Sequence, residues 1–318
     1  MSGARRRGQG DPNAVVPAAE PRSYYDQPVI KAPVWTVEVP WYLFAGGVAG
    51  ASSVLGAVAR AVDDLPVAVA AERAAAVASA VSPALLVSDL GRPERLLNML
   101  RVVKPTSPMN MGSWLLAVYA PTAIGVAVLG ELGRSPSLGP LARRSGVIAA
   151  ALGSLLATYT AVLLADTAVP VWHEARRELP FAFAGAAAQS AGAVAVAMVP
   201  PADAGLARWA LVAGALQREV ATETMVRNLG ELGRPLRTGR GGRFRAAGRL
   251  ASGAAVALTV MAGRRSRTVA VVAGALGAAG AACERFAVFR AGFDSAADPH
   301  ATTGPQRARL SAGTTTCR

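Results

Sequence analysis

Cysteine and histidine are nearly missing from this 318-residue chain, with two of each: Cys283 and Cys317, His173 and His300. Two cysteines cannot build a disulfide framework, a four-thiolate iron–sulfur cluster or a structural zinc site. A transmembrane b-type haem needs two facing histidines, and His300 lies in a polar tail, so that pairing is excluded too. No metal centre is expected. Charge is also scarce, at 17% of residues against about 25% in soluble proteins. Acids are the scarcer sign, 20 against 33 basic residues, which leaves a net charge of +13. What is abundant is apolar: 52% of residues, with a mean hydropathy of +0.34. Two ordinary soluble domains do not have this composition. It fits a multi-span membrane protein whose arginines gather in the breaks between apolar runs.

The runs can be placed. Residues 1–34, rich in Pro, Arg and Gly, read as a flexible segment, and no cleavable signal peptide is evident in them. Stretches of about 17–25 apolar residues cross a bilayer core of ~30 Å as helices. Such stretches lie near Pro40–Val62, Ala74–Leu90, Gly112–Gly130, Val147–Val169, Phe181–Val199 and Leu206–Val226. Two weaker ones lie near Ala246–Gly263 and Thr268–Cys283. The expectation is an all-α integral membrane domain over 35–290 with six or eight spans, followed by a polar tail over 291–318. Either count puts the termini on one side. Eighteen Lys and Arg then fall in the breaks on the N-terminal side and eight on the other, with five more in the tail. That bias predicts a plasma-membrane protein with both termini cytoplasmic. It also argues against nucleic acid as a partner, because the arginines punctuate spans instead of forming one basic face.

Small residues such as Gly46, Gly47, Gly50 and Ser53 in the first span, and Gly185 and Ser190 in the fifth, read as helix-packing positions. Asp89-Leu-Gly-Arg-Pro93 recurs as Glu231-Leu-Gly-Arg-Pro235 four spans later. The echo points either to two related four-helix halves or to chance in an Arg- and Gly-rich chain.

Ionisable groups in or beside apolar spans are costly and mark function by default. The candidates are Glu38, Asp89, Tyr159, Asp166, Glu174, Arg218, Glu219 and Glu223. Read by depth, they gather near one membrane face, which suits a lateral pocket better than a continuous channel. Tyr159 and Asp166, seven residues apart, fall on about the same helix face. Arg218, Glu219 and Glu223 also read as a self-satisfied polar stripe. Trp41, Trp114 and Trp172 stand at span ends, as interfacial anchors do. The segment from Asp89 to Trp114 has the pattern of an ordered loop: Pro93 suits the first turn of a short helix, Glu94–Val103 carries an apolar stripe, and Pro105 and Pro108 stop it. With Arg92, Arg95 and Lys104 it reads as a docking platform or interfacial helix.

Three segments resemble the NrfD/polysulfide-reductase membrane subunit family: Pro40-Trp-Tyr-Leu-Phe-Ala-Gly-Gly-Val-Ala-Gly50, the Asp89–Trp114 loop, and Tyr159 to Trp172 with Leu179-Pro-Phe181. The stretch Glu284-Arg-Phe-Ala-Val-Phe-Arg-Ala-Gly-Phe293 also looks like a form found in such proteins. The resemblance implies about eight spans in two four-helix bundles and a membrane-anchor subunit of a redox complex. It implies a partner of ferredoxin type with four iron–sulfur clusters and, through it, a molybdopterin catalytic subunit. The implied substrate is a quinone, menaquinone or ubiquinone, bound without haem near the docking face. By position, Tyr159 resembles the family's quinone-contacting tyrosine, and Glu38 and Trp41 occupy the place of its other contacts. Glu38 or Asp166 would then exchange protons. The rival class is a proton- or solute-translocating subunit with a relay through Asp166, Arg218 and Glu219. A purely structural anchor is a third possibility.

Overall fold

The computed structural model describes residues 27–89, 94–132, 139–261 and 265–304. Residues 1–26, Leu90–Pro93 with Arg92 of the expected docking loop, and 305–318 lie outside the described residues, as does most of the first acid–Leu-Gly-Arg-Pro copy. The described chain is helical and contains no strand. Eight helices are long: α1 (Glu38–Ala61), α2 (Leu65–Asp89), α4 (Pro108–Leu132), α5 (Gly139–Ala165), α7 (Leu179–Met198), α8 (Gly205–Asn228), α10 (Gly239–Met261) and α11 (Arg267–Ala297). Three short ones, α3 (Glu94–Met99), α6 (Pro170–Glu174) and α9 (Arg234–Arg237), sit in the connections. Prolines fix several starts. Pro108 opens α4, and Pro170 and Pro180 lie in the first turns of α6 and α7, where a missing N–H costs nothing.

Six of the eight long helices are long and apolar enough to cross a membrane: α1, α2, α4, α5, α7 and α11. The chain is thus a multi-pass membrane protein. Helices α8 and α10 fall short because both carry ionised residues along their length. This reverses part of the sequence reading, which ranked Leu206–Val226 among the strong spans and Thr268–Cys283 among the weak ones. Helix α11 continues 14 residues past Cys283 and past residue 290, burying Glu284 and Arg285 on the way. Hydropathy ends the run at those charges, but their partners on other helices let the helix go on. Helix α2 likewise begins nine residues before Ala74, because Glu72 is paired bidentately with Arg60 at 2.7 Å and Arg73 with Glu131 at 2.6 Å.

Helices α1, α2, α4 and α5 pack as one group of four, and α7, α8, α10 and α11 as a second; α1 and α7 form most of the seam between them. Glycines set the closest crossings. A Cβ on Gly50 would fall 2.2 Å from the Gly153 carbonyl, joining α1 to α5. On Gly185, Gly192 and Gly214 it would fall 2.2–2.4 Å from backbone nitrogens across the α7–α8 crossing. Without a hydrophobic drive between helices in lipid, such backbone approach supplies the dispersion contacts that hold them.

Tertiary contacts define two ends. At the near end, Thr36 binds Asp89, Asn228 donates to Glu178 at 2.7 Å, and Trp172 Nε1 donates to the Val288 carbonyl at 2.8 Å. At the far end stand Arg60–Glu72, Arg73–Glu131 and Arg267 donating to the Val199 carbonyl. Trp172 departs from the interfacial role expected of it. It is completely buried, stacked on Trp35 at 5.4 Å and pressed against Gly292 of α11. It ties the segment before α1 to the near ends of both groups.

Candidate functional site

The near end of the first group contains a pair of phenols. Tyr159 of α5 hydrogen-bonds Tyr42 of α1, whose side chain is 3% exposed. The Tyr159 ring lies so close to α4 that a Cβ on Gly112 would fall 1.9 Å from its hydroxyl, so only glycine fits there. Glu38 stands one turn before Tyr42, on the same side of α1. Thr36 lies within hydrogen-bonding reach of both Glu38 and Asp89, and the second Glu38 oxygen is buried without a partner. Two hydroxyls on different helices and a carboxyl nearby can bond the carbonyl oxygens of a flat ring and exchange a proton with it.

The connection from α3 to α4 roofs this site, and one residue organises it. Asn110 donates to the carbonyls of Met99 at 2.6 Å and Val102 at 2.9 Å, while its own carbonyl accepts from the Lys104 N–H at 2.7 Å. Trp114 adds a bond to Val102 at 3.3 Å. The short helix stops at Met99 instead of reaching Val103, because Asn110 takes the carbonyls that would continue it. Val102, Val103, Met109 and Met111 are left exposed beside Lys104. The structure gives Arg95 a place in α3, but its side chain lies outside the description.

Not all the expected site residues meet. Trp41, next to Tyr42 in sequence, points to the other side of α1, where it packs edge-on against Phe286 at 5.2 Å. There it borders an apolar lateral groove of about 600 Å³ between α1, α2 and α7, whose wall includes Val48, Val81 and Met198. Asp166 lies past the end of the helix that carries Tyr159. Helix α5 ends at Ala165, and Asp166 lies exposed beyond it in a pocket with His173 and Glu174. The apolar run continues to Val169, but Thr167 caps the Leu164 carbonyl at 2.7 Å and Pro170 starts the next helix, so the run is no guide to the helix end.

The sequence reading missed Tyr42 and Asn110. A tyrosine four residues after Glu38 was available as a signal for the first; nothing local marks the second. Arg218, Glu219 and Glu223 do form the polar stripe expected of them, but the sequence reading missed its buried partners Gln189 and Glu284. Arg218 is 2% exposed and binds Gln189 at 3.0 Å, Glu284 at 3.1 Å and Glu219 at 3.3 Å. Glu284 also accepts from Thr222 at 2.9 Å. Gln189 is near the middle of α7, and Glu284 lies one turn before Val288 on α11. Among the described residues no group of His, Cys, Asp and Glu is arranged to hold a metal.

A family model described as polysulphide reductase, NrfD, matches residues 27–202. That span takes in α1 through α7 with the Tyr42–Tyr159 pair and its roof, and stops in the turn before α8. No curated protein matches the chain.

Proposed function

The chain belongs to the polysulphide reductase NrfD family of redox-complex membrane subunits, and from that premise we propose that it exchanges electrons between a membrane quinone and an iron–sulfur partner. The observation that carries the reading is the hydrogen-bonded Tyr42–Tyr159 pair, with Glu38 one turn away, under the Asn110-pinned loop. Tyr159 would hold one ring carbonyl, and Glu38 would take or return a proton at the near end. Quinol oxidation there releases two electrons and two protons. The electrons pass to a ferredoxin-type subunit with four iron–sulfur clusters and on to a molybdopterin subunit; the protons return to the near-end solution. The exposed Val102, Val103 and Lys104 of the loop fit the docking of that partner. The Lys and Arg bias supports a cytoplasmic near end in the plasma membrane.

Trp41 serves better as a wall for the apolar part of the ligand than as a polar contact, given its side of α1. Asp166, exposed beyond the end of α5 in a pocket with His173 and Glu174, has no part in this mechanism. The test is Tyr159→Phe in the intact complex, measured as quinol-linked turnover. Loss of one hydrogen bond that matters in the transition state lowers turnover by ~10-fold or more. Turnover equal to wild type refutes the site.

A further inference from the structure

Within the second helix group, ion pairs run without a break from exposed Arg227 to the fully buried Glu284. Arg227, 75% exposed, binds Glu223 at 3.2 Å; Glu223 binds Arg245 at 2.6 Å and stands 3.9 Å from Arg249. Arg249, 52% exposed, binds Glu219 at 2.9 Å, and Glu219 reaches Arg218, which reaches the buried Glu284. None of these residues lies in the segment matched by the family model. Ions on the outside of a membrane helix require water or protein beside them. Here the outermost members, Arg227 and Arg249, are exposed, and Glu223 and Glu219 are each about one-third exposed.

The inner end has an arrangement that a simple clamp does not need. Arg218 is shared between two carboxylates, so either Glu219 or Glu284 can take a proton while Arg218 stays paired with the other. The groups facing Glu284 are Arg218 and Thr222 from α8, with Gln189 of α7 and Ser252 of α10 behind Arg218, and Cys283 and Arg285 on α11 itself. Arg285 is 1% exposed, and its Nη2 donates to the Phe183 carbonyl at 2.9 Å. Its Nε and Nη1 have no hydrogen-bond partner in the seam beside Gly47, where the guanidinium lies over the Phe183 ring at 3.7 Å. Arg285 thus faces the α1–α7 seam, while the Glu284 carboxylate next to it in sequence faces α8.

We infer that α8, α10 and α11 form a proton-access path by which the buried Glu284 exchanges protons with the near end through Glu223 and Glu219. In each step an O–H bond forms on the receiving carboxylate as one breaks on the donor or on water, and no electron moves. The path is independent of the quinone site.

The test uses the full-length protein in its complex, in lipid nanodiscs without quinone, followed by infrared spectroscopy after a downward pH jump. A protonated-carboxyl band appears in the wild type and is absent in Glu284→Gln. In Glu219→Gln, a partly exposed position, the band grows in about tenfold more slowly or worse. Glu284→Asp, which keeps the ionisable group, retains a shifted band and guards against a folding artefact in Glu284→Gln. A band that persists in Glu284→Gln, a wild type with no band, or an unchanged rate in Glu219→Gln overturns the path. None of these outcomes depends on Tyr159 or on turnover, so this result and that of the quinone test fail separately.

Discussion

Replacing Arg218 with Met should be among the most damaging single changes in the protein. It removes the charge partner of Glu284, which is fully buried and would keep only the Thr222 hydroxyl. Gln189 loses an acceptor's partner as well. Breaking a buried pair by removing one member costs about 3–5 kcal/mol, because the remaining charge is uncompensated. An average interhelical hydrogen bond in a membrane protein contributes only about 0.6 kcal/mol, so the two accounts differ several-fold. The reverse change, Glu284→Gln, should cost less, since Arg218 keeps Glu219. The pair Arg218→Met with Glu284→Met should recover most of the loss, as apolar replacement of buried ion pairs often does. Thermal unfolding in detergent, or reversible unfolding in bicelles, measures all three. If Arg218→Met costs less than about 1 kcal/mol, or costs no more than Glu284→Gln, the shared-arginine account is wrong.

Two further perturbations follow from close contacts. Gly292→Ala would set a methyl 2.0–2.3 Å from the buried Trp172 ring, and helix backbone cannot yield cheaply. A loss of about 1–3 kcal/mol, with a changed tryptophan emission spectrum, is expected; an unchanged melting temperature and spectrum would show that Trp172 is not the tie it is described as. Asn110→Ala removes three bonds that shape the loop above Tyr159. Hydrogen exchange should rise at Met99–Lys104 while α1, α2 and α5 stay protected, and binding of the iron–sulfur partner should weaken. Protection of the loop equal to wild type would contradict its dependence on Asn110.

Hydropathy located five of the six spanning helices as strong runs because lipid-facing helices advertise themselves by composition, and α1, α4 and α7 lie close to where their runs predict them. It failed where charge is compensated. Glu72, Glu284 and Arg285 look like helix ends in sequence, yet each sits inside a helix because its partner, or a carbonyl, comes from another helix. Pairing of that kind is a tertiary fact with no local signature. Asp166 failed in the opposite direction: the apolar letters after it belong to a turn and a new helix. Of the candidate site, Tyr159 and Glu38 were legible from span position and from family resemblance. That they converge on Tyr42 while Trp41 turns away follows from the 100° step between neighbouring helical residues, once the packed face of α1 is known.

The α7–α8 crossing constrains how this protein can change. Gly185 and Gly192 are seven residues apart, close to two full turns, so both meet α8 along one line. Backbone touches backbone there, and no side chain lies between to absorb an error in register. Inserting or deleting one residue in either helix would rotate everything beyond it by about 100°. That would swing Gln189 away from Arg218 and put methyl groups where glycine now allows contact. A length change that leaves this crossing intact therefore has to fall in the turn at 199–204.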